Sequence, residues 1–509
     1  MKSAGTALFS LNDTTRAAEF AEQLISAGWK ILASTETAKV LKNKKIPVLD
    51  IANFTNIKKK FKFPPTLHPK IESALTTNSK NSIDLVYILT YPNSKGADVG
   101  GHTVLALAAK GRRVPISNNK DMEKVVKIFC NKKKIGKKMR EELILKANYQ
   151  NSKFYMNNIS RKKNHEIIFG EKSYNLMNGE NPYQIPSSAF ITDIKDTLSL
   201  LNLKRISGER PCFTNMADAD CIIKTLCLVF EASQLNMKQI PYICIAAKHG
   251  NACGVGVNFN SPETSIKKAL WGNPRSIWGG ELITNFRVDE DLADMILKNS
   301  KREKLFNSAF WMLDLVIAPS FSKNAIKLLR KRKKRKLFEN IALKKPFTKK
   351  NKNDLRMVRG GFLVQPSKSY ILNLKKCKNI NFENFNDDKI ISMIIAWAVA
   401  FSSNHGGNEI AIAKDSGLIG AGGGPSTIEA AKVAIERSKE NGHGSIDAVF
   451  AADAFFAFDD APKALIAAGC DHGIVPGGGK MFHSIKKYFS DNNAVCGFIP
   501  EKYRGFCRH

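Results

Sequence analysis

The chain has 509 residues, 43% of them hydrophobic and 25% charged, with a mean hydropathy of −0.23. At roughly 150 residues per domain this suggests about three globular units, and it excludes a disordered chain, a collagen-like repeat and a disulfide-stapled mini-protein. Seventy-nine Lys and Arg against 46 Asp and Glu leave a net charge of +33, which fits a lysine-biased surface or positive clefts that concentrate anionic metabolites.

Residues 1–115 alternate in the manner of parallel strands joined by helices. Thr6–Leu11 is a strand; Asn12 and Asp13 cap a helix with Ala17, Phe20, Ala21, Leu24 and Ile25 on its apolar face, and Gly28 stops it. Lys30–Ser34 is the next strand, Thr37–Leu41 a short helix and Val48–Ile51 a strand. Ile83–Leu89 is a strongly apolar strand ending at Tyr91-Pro92, Asp98-Val-Gly-Gly opens a helix over His102–Ala109, and Arg113–Ile116 is a strand. Helices extend the unit to about residue 160. A second region starts near residue 165, with helix Ala217–Ala232 before strand Tyr242–Ala247. Strand Leu313–Ile317, helix 322–330, the basic run Lys327–Lys336 and a polar stretch to about 385 follow. The apolar run Ile390–Phe401 is too short for a membrane span of about 20 residues and predicts a buried helix over 388–401. Glu409–Ala413 and Leu418-Ile419 are strands split by Lys414-Asp415, Pro425–Arg437 is a helix, and Ala448–Phe458, Gly473–Val475 and Ala494–Phe498 complete the alternation. No short-period repeat is visible.

The opening MKSAGTALFSLNDTT lacks the apolar stretch of a secretion signal, and the ten cysteines include no C-x₂₋₄-C pair. Reduced thiols, no structural zinc, no membrane insertion and a cytoplasmic location are therefore expected. The basic run has neither a helix-turn-helix signature nor interleaved aromatics, so nucleic acid is not the expected partner.

Chemistry concentrates at a few points. Lys248-His249-Gly250-Asn251-Ala252-Cys253-Gly254 follows a buried strand, where open α/β sheets bind ligands. A lysine beside a histidine disfavours the imidazolium and so favours a neutral base; a loop histidine with a solvated lysine is the plainer reading. Ala421-Gly-Gly-Gly-Pro-Ser-Thr, between a strand and a helix, fits an anion-binding turn or simply a tight turn. In Asp453-Ala-Phe-Phe-Ala-Phe an acid precedes aromatics that serve either as core or as stacking walls for a planar heterocycle. In the N-terminal unit, Thr66–Lys70, Tyr91-Pro92, Asp98–Gly101 and Ala108–Lys110 are placed at strand ends or helix starts and together outline one polar pocket.

Taken in order, L-F-S-x-x-D, T-L-H-P-K, L-x-Y-P, D-x-G-G, A-A-K, G-E-N-P-x-Q, K-H-x-N-x-C-G, G-x-G-G-G, D-A-F-F-x-F and a terminal R-x-F resemble the bifunctional purine-biosynthesis family. That family joins 5-aminoimidazole-4-carboxamide ribonucleotide (AICAR) formyltransferase to IMP cyclohydrolase. The resemblance implies an α/β protein with a methylglyoxal-synthase-like cyclohydrolase domain over residues 1–160. Residues 161–509 would form a transformylase of two cytidine-deaminase-like subdomains. It further implies 10-formyltetrahydrofolate as cosubstrate, no metal, AICAR and formyl-AICAR as ligands, and a homodimer.

Matched residue by residue, the resemblance makes Lys248 and His249 the catalytic pair and Asn408, six residues before Lys414, the ligand of the developing oxyanion. Asn404, in an Asn404-His-Gly-Gly insertion, is the rival for that last role. Asn215, Asp453, Phe456, Arg504 and Phe506 would contact the transformylase substrates. Tyr91, Asp98 and Lys110 would serve cyclisation, with Gly100, Gly101 and Thr66 binding its substrate. Thr66 follows Pro65 where the family has a catalytic lysine, Thr35-Glu36 replaces a Gly-Gly pair, and Thr14 replaces another lysine. In the second half Met177-Asn178 replaces Arg-Tyr, Tyr183 replaces His, and Pro425-Ser426-Thr427 replaces Gln-Ser-Arg.

Overall fold

The structure is a computed structural model and describes residues 4–57, 65–78, 81–92, 97–159, 166–192, 195–348, 353–380, 382 and 385–505. It divides into two compact units, Met1–Phe169 and Gly170–His509.

The first unit runs β1 (Gly5–Leu11), α1 (Ala17–Ser26), β2 (Trp29–Ala33), α2 (Thr35–Asn43), β3 (Leu49–Asp50), α3 (Ile51–Thr55), α4 (Pro69–Thr76), β4 (Leu85–Leu89), α5 (Val99–Lys110), β5 (Val114–Ile116), α6 (Asn119–Cys130) and α7 (Lys137–Ile159). The strands make one parallel sheet in the order β3-β2-β1-β4-β5. Helices cover both faces, since one core gathers Phe9, Phe20, Leu24 and Tyr87 and a second gathers Leu8, Val86, Leu105 and Ile71. The strand order reverses between β1 and β4, where open parallel sheets leave a crevice beyond their carboxyl ends. The strand expected over Val48–Ile51 keeps only two residues, because Asp50 accepts from the Ala52 N–H at 2.9 Å and starts α3 at once.

The second unit carries β6 (Glu171–Asn175), β7 (Ser188–Ile191), β8 (Lys204–Ser207), α8 (Phe213–Met237), β9 (Tyr242–Lys248), β10 (Asn251–Asn258), α9 (Pro262–Gly272), β11 (Glu281–Thr284), α10 (Glu290–Leu297), α11 (Ser300–Phe306), β12 (Leu315–Ala318), α12 (Lys323–Leu329) and β13 (Lys336–Glu339). It continues through β14 (Asn353–Val358), β15 (Gly361–Pro366), α13 (Asp387–Ser402), β16 (Asn408–Lys414), β17 (Gly417–Gly424), α14 (Thr427–Glu440), β18 (Val449–Ala452), α15 (Asp460–Ala467), β19 (His472–Pro476), α16 (Phe482–Asp491) and β20 (Val495–Ile499). The main sheet has eleven strands in the order β20-β19-β18-β16-β17-β10-β9-β11-β12-β13-β8.

The edge strand β8 aside, that order is symmetric about the β10–β17 pair, Gly256 opposite Gly417. Each half is a helix, a two-stranded hairpin and then helix–strand units: α8 with β9–β13 and α13 with β16–β20. Central helices α8 and α13 share one core with Ile243, Ala247 and Ala411 on one face of the sheet. The outer helices of each half fill separate cores on the other face. The duplication is hidden in the sequence because backbone pattern survives in it while side chains do not.

Three further expectations shift. The glycines at 420–424 are strand, not turn, since β17 runs to Gly424. A Cβ at Gly420 would sit 2.3 Å from the Ala434 carbonyl oxygen and one at Gly422 2.7 Å from the Ala434 nitrogen, so α14 lies directly on the β17 backbone. Gly420→Ala is expected to destabilise the unit by about 1–3 kcal/mol, read as a lower urea midpoint; unchanged stability would contradict that contact. The polar stretch before residue 385 contains the exposed hairpin β14–β15. The basic run is partly structural: Arg335 is 4% exposed and donates to the carbonyls of Leu313 and Leu329, at 3.1 Å each. Among the described residues no helix is long and apolar enough to cross a membrane. The nine described cysteines are free.

Candidate active site

β9 and β10 meet in a tight turn whose central residues, His249 and Gly250, have φ of 53° and 70°, the left-handed pair that matches the twist of the flanking strands. A Cβ on Gly250 would lie 3.1 Å from Cys221 Sγ and 3.4 Å from Asp218 Oδ1, so the turn rests on the start of α8. His249 projects outward and is exposed. Lys248 is half-buried and its Nζ donates to the Gly279 carbonyl at 2.8 Å. Beneath it Glu281 is 2% exposed. Burial and the neighbouring Asp218 carboxyl raise Glu281 well above the ordinary carboxylate range, so it stays protonated near neutrality. The same burial pushes Cys253 up to about 12 and keeps it an inert thiol. Asn215, on the first turn of α8, is buried and its Oδ1 accepts from the Cys212 N–H at 3.3 Å.

Four segments distant in sequence reach the same edge of the sheet. The Asn251 amide accepts from the Asn404 N–H at 2.7 Å and donates to the carbonyls of Asn404 and His249 at 3.3 and 3.2 Å. His405 follows, its Nδ1 2.6 Å from Glu409 Oε2. The Glu409 N–H donates to Asp453 Oδ1 at 2.9 Å, and the Asp453 N–H donates to the Glu409 carbonyl at 3.1 Å. The Gly505 N–H reaches the Asp453 carbonyl at 2.8 Å, which draws the C-terminal segment in. Arg504 lies over the Phe455 ring, 5.6 Å from its centroid, and pairs with Glu501 at 3.4 Å.

The duplicated half gives Asp453 a reference. Asn285, just past β11, holds Ile243 as Asp453 holds Glu409, accepting from its N–H at 2.7 Å and donating to its neighbour's chain at the Pro241 carbonyl, 2.8 Å away. Every polar atom of the Asn285 side chain is thereby used. In Asp453, 1% exposed, Oδ2 is buried with no hydrogen-bond partner, and burial pushes the carboxyl up to about 7. An acid has replaced a structural amide on the side of the molecule that carries the Lys248 turn.

Other predicted residues land differently. Phe456 is a core residue, 2% exposed and 6.4 Å from the Phe450 ring. The chain leaves the sheet at Asp453, so the alternation expected through Phe458 ends there and Phe455 becomes the ring at the edge. Asn408 opens β16, and its amide donates to the Pro425 carbonyl at 3.0 Å, while the backbone of Asn404 is tied to the Lys248 turn through Asn251. The helix start at Thr427 does not offer an anion cradle: Ser426 and Glu429 cap it reciprocally, with Ser426 N to Glu429 Oε2 at 3.0 Å and Glu429 N to Ser426 Oγ at 3.3 Å. Phe506 lies outside the described residues. Among the described residues no group of three or more His, Cys, Asp or Glu side chains stands together as a metal site.

In the first unit Asp98 caps α5, its Oδ1 accepting from the Gly101 N–H at 2.8 Å and its Oδ2 from the Tyr91 N–H at 3.2 Å. A Cβ at Gly101 would lie 2.9 Å from that carboxylate. Tyr91 donates its hydroxyl to the Ala97 carbonyl at 3.1 Å, and burial with the Asp98 charge raises its phenol, keeping it protonated. Gly100 is buried beside them, and Thr66, 5% exposed, precedes α4, which His68 caps through Nδ1 to the Lys70 N–H at 3.1 Å. Ala108–Lys110 is the last turn of α5 rather than a strand end. Twelve residues at 1.5 Å each place Lys110 about 18 Å along the helix from Asp98, so the structure does not bring Lys110 to this pocket.

Glu409, His405, Asp218 and Glu281 were not singled out from the sequence. An acid inside the apolar strand Asn408-Glu-Ile-Ala-Ile-Ala is the signal that marks Glu409, and a histidine among glycines before that strand is the one that marks His405.

Residues 108–437, more than half of the chain, match the family described as "AICARFT/IMPCHase bienzyme", and residues 16–115 match "MGS-like domain". A "Bifunctional purine biosynthesis protein PurH" of Fusobacterium nucleatum is 30% identical, over 93% of this chain and 94% of that protein. Proteins of the same name from Acetivibrio thermocellus and Persephonella marina are 29% and 28% identical, with the same coverage of both chains. This chain belongs to the AICARFT/IMPCHase bienzyme family.

Proposed function

We propose that the second unit transfers the formyl group of 10-formyltetrahydrofolate to the 5-amino group of AICAR, and that the first unit closes the formyl-AICAR formed into IMP. The observation that carries the reading is the arrival of Lys248, His249, Asn404, Asp453 and Arg504 at one sheet edge, where Asn251 joins the His249 and Asn404 segments and the Glu409 and Gly505 N–H groups bond Asp453. The AICAR amine is conjugated with its ring and is a poor nucleophile. His249 takes its proton as the general base, a contribution of about 10²–10⁴ in rate. Lys248 protonates the departing folate nitrogen, and Asn404, in preference to Asn408, offers its amide to the developing oxyanion. Asp453 presents its unpartnered oxygen to the substrate, while Phe455 and Arg504 flank the bound ring. Asn215 contributes from the first turn of α8. The net charge of +33 favours two anionic substrates. A homodimer is part of the proposal, supported by the exposed apolar side chains of Tyr183, Ile185, Phe190 and Phe213. A cytoplasmic location and no role for nucleic acid belong to it too.

Cyclisation falls to the pocket of Tyr91, Asp98, Gly100, Gly101 and Thr66. The reaction is intramolecular, and good orientation alone is worth effective molarities of about 10⁵–10⁸ M. Asp98→Ala is expected to lower stability by about 1 kcal/mol through the lost cap and to stop conversion of supplied formyl-AICAR while transfer continues. A second reading, transferase alone, is favoured by one observation: Lys110 stands about 18 Å along α5 from Asp98. Mixing the protein with AICAR and 10-formyltetrahydrofolate separates the two, since IMP accumulates under the first reading and formyl-AICAR under the second.

A further inference from the structure

The formyl-transfer reading leaves an ionisable pair at the same edge unused. The Glu409 carboxylate receives both the His405 Nδ1–H, at 2.6 Å, and the His405 backbone N–H. The two side chains are only 13% and 2% exposed. A carboxylate accepts, so Nδ1 carries the hydrogen and Nε2 is the basic nitrogen, in a ring whose orientation is fixed. Room for the pair comes from Gly423, where a Cβ would sit 2.8 Å from His405 Cβ and 2.4 Å from Glu409 Oε1. One amide, that of Asn251, joins the carbonyls of His249 and Asn404, so the two histidines ride on backbone segments bridged by a single side chain. In the duplicated half the register position of Glu409 is held by Ile243, facing Asn285 as Glu409 faces Asp453. The pair is thus confined to the edge that carries the Lys248 turn, which a role in strand pairing alone does not require.

We propose that His405, oriented by Glu409, is a second proton acceptor for the substrate amine in formyl transfer. This rests on the formyl-transfer reading above. The amine nitrogen bonds to the formyl carbon, and its proton passes to His249 and on to His405 Nε2; the adduct then collapses, the bond from that carbon to folate N10 breaks, N10 departs with a proton from Lys248, and the His405 imidazolium returns its proton to Lys248. One formyl group moves one way and one proton the other, with no further reactant. Glu409 is a positioning residue in this scheme.

The test compares His405→Gln, His405→Ala and Glu409→Gln with the unaltered full chain, each shown to be folded by circular dichroism and thermal unfolding. His405→Gln keeps a donor for Glu409, so a structural role would survive in it. The expected result is a fall in kcat of about 10²-fold for His405→Gln with KM little changed, and a smaller, about tenfold fall for Glu409→Gln. Added imidazole is expected to restore activity to His405→Ala. Wild-type kcat in His405→Gln, or no recovery of His405→Ala with imidazole, overturns the proposal while leaving formyl transfer itself standing. Absence of formyl transfer by the folded wild type overturns both.

Discussion

Replacement of His249 by asparagine is expected to leave the protein folded and to cut formyl transfer by about 10²–10⁴-fold, the share a positioned base contributes. The choice of residue follows from the backbone. His249 sits at φ 53°, a conformation that asparagine adopts more readily than other non-glycine side chains, whereas alanine would add strain to the loss of the ring. Its side chain is exposed, so its removal opens no cavity in the core. Conversion of supplied formyl-AICAR to IMP in the first unit is expected to continue at the wild-type rate. Formation of formyl-AICAR, followed by chromatography, checks the first outcome, and IMP formation checks the second. A His249→Asn protein that transfers formyl groups at the wild-type rate would remove His249 from the reaction.

Asp453→Asn is expected to have the next largest effect, and to move activity and stability in opposite directions. Asparagine can still accept from the Glu409 N–H, as Asn285 accepts from the Ile243 N–H in the other half. Transfer should nevertheless fall by about 10–100-fold, the cost of a substrate group that loses its buried acceptor. The folded carboxyl is raised from 3.8 to about 7 by burial. Between those values the folded chain holds a proton that the unfolded chain has released, so wild-type stability falls as pH rises through the window and stays lowered above it. The whole shift corresponds to at most about 4 kcal/mol. Asp453→Asn abolishes this slope, so the variant gains on the wild type between pH 4.5 and pH 8 in urea unfolding. An identical pH dependence in the two proteins would show that Asp453 ionises freely.

The sequence made the parallel sheet of the first unit legible because its strands are short apolar runs separated by capped helices, and Thr6–Leu11 and Ile83–Leu89 fall on β1 and β4. It made the Lys248 turn legible because a buried strand ends there in residues that bear chemistry. What it hid depends on register. Phe455 and Phe456 are adjacent aromatics, and only the departure of the chain from the sheet after Ala452 decides which of them enters the core. Gly422–Gly424 suggested a turn by composition, yet these glycines are strand residues, and with Gly420 they let α14 approach β17. Asn408 was the expected oxyanion ligand with Asn404 as its rival, and only the folded chain shows that the Asn404 backbone bonds Asn251 while the Asn408 amide bonds the Pro425 carbonyl. Lys110 matched by spacing, but along a helix spacing is also distance, and it ends about 18 Å from Asp98.

The most direct measurement of the central claim is a single-turnover reaction of the unaltered protein with AICAR and 10-formyltetrahydrofolate, with every nucleotide resolved over time. The account predicts that formyl-AICAR rises first and that tetrahydrofolate is released in equal amount, with IMP following. A folded protein that binds both substrates yet forms neither formyl-AICAR nor tetrahydrofolate would contradict it.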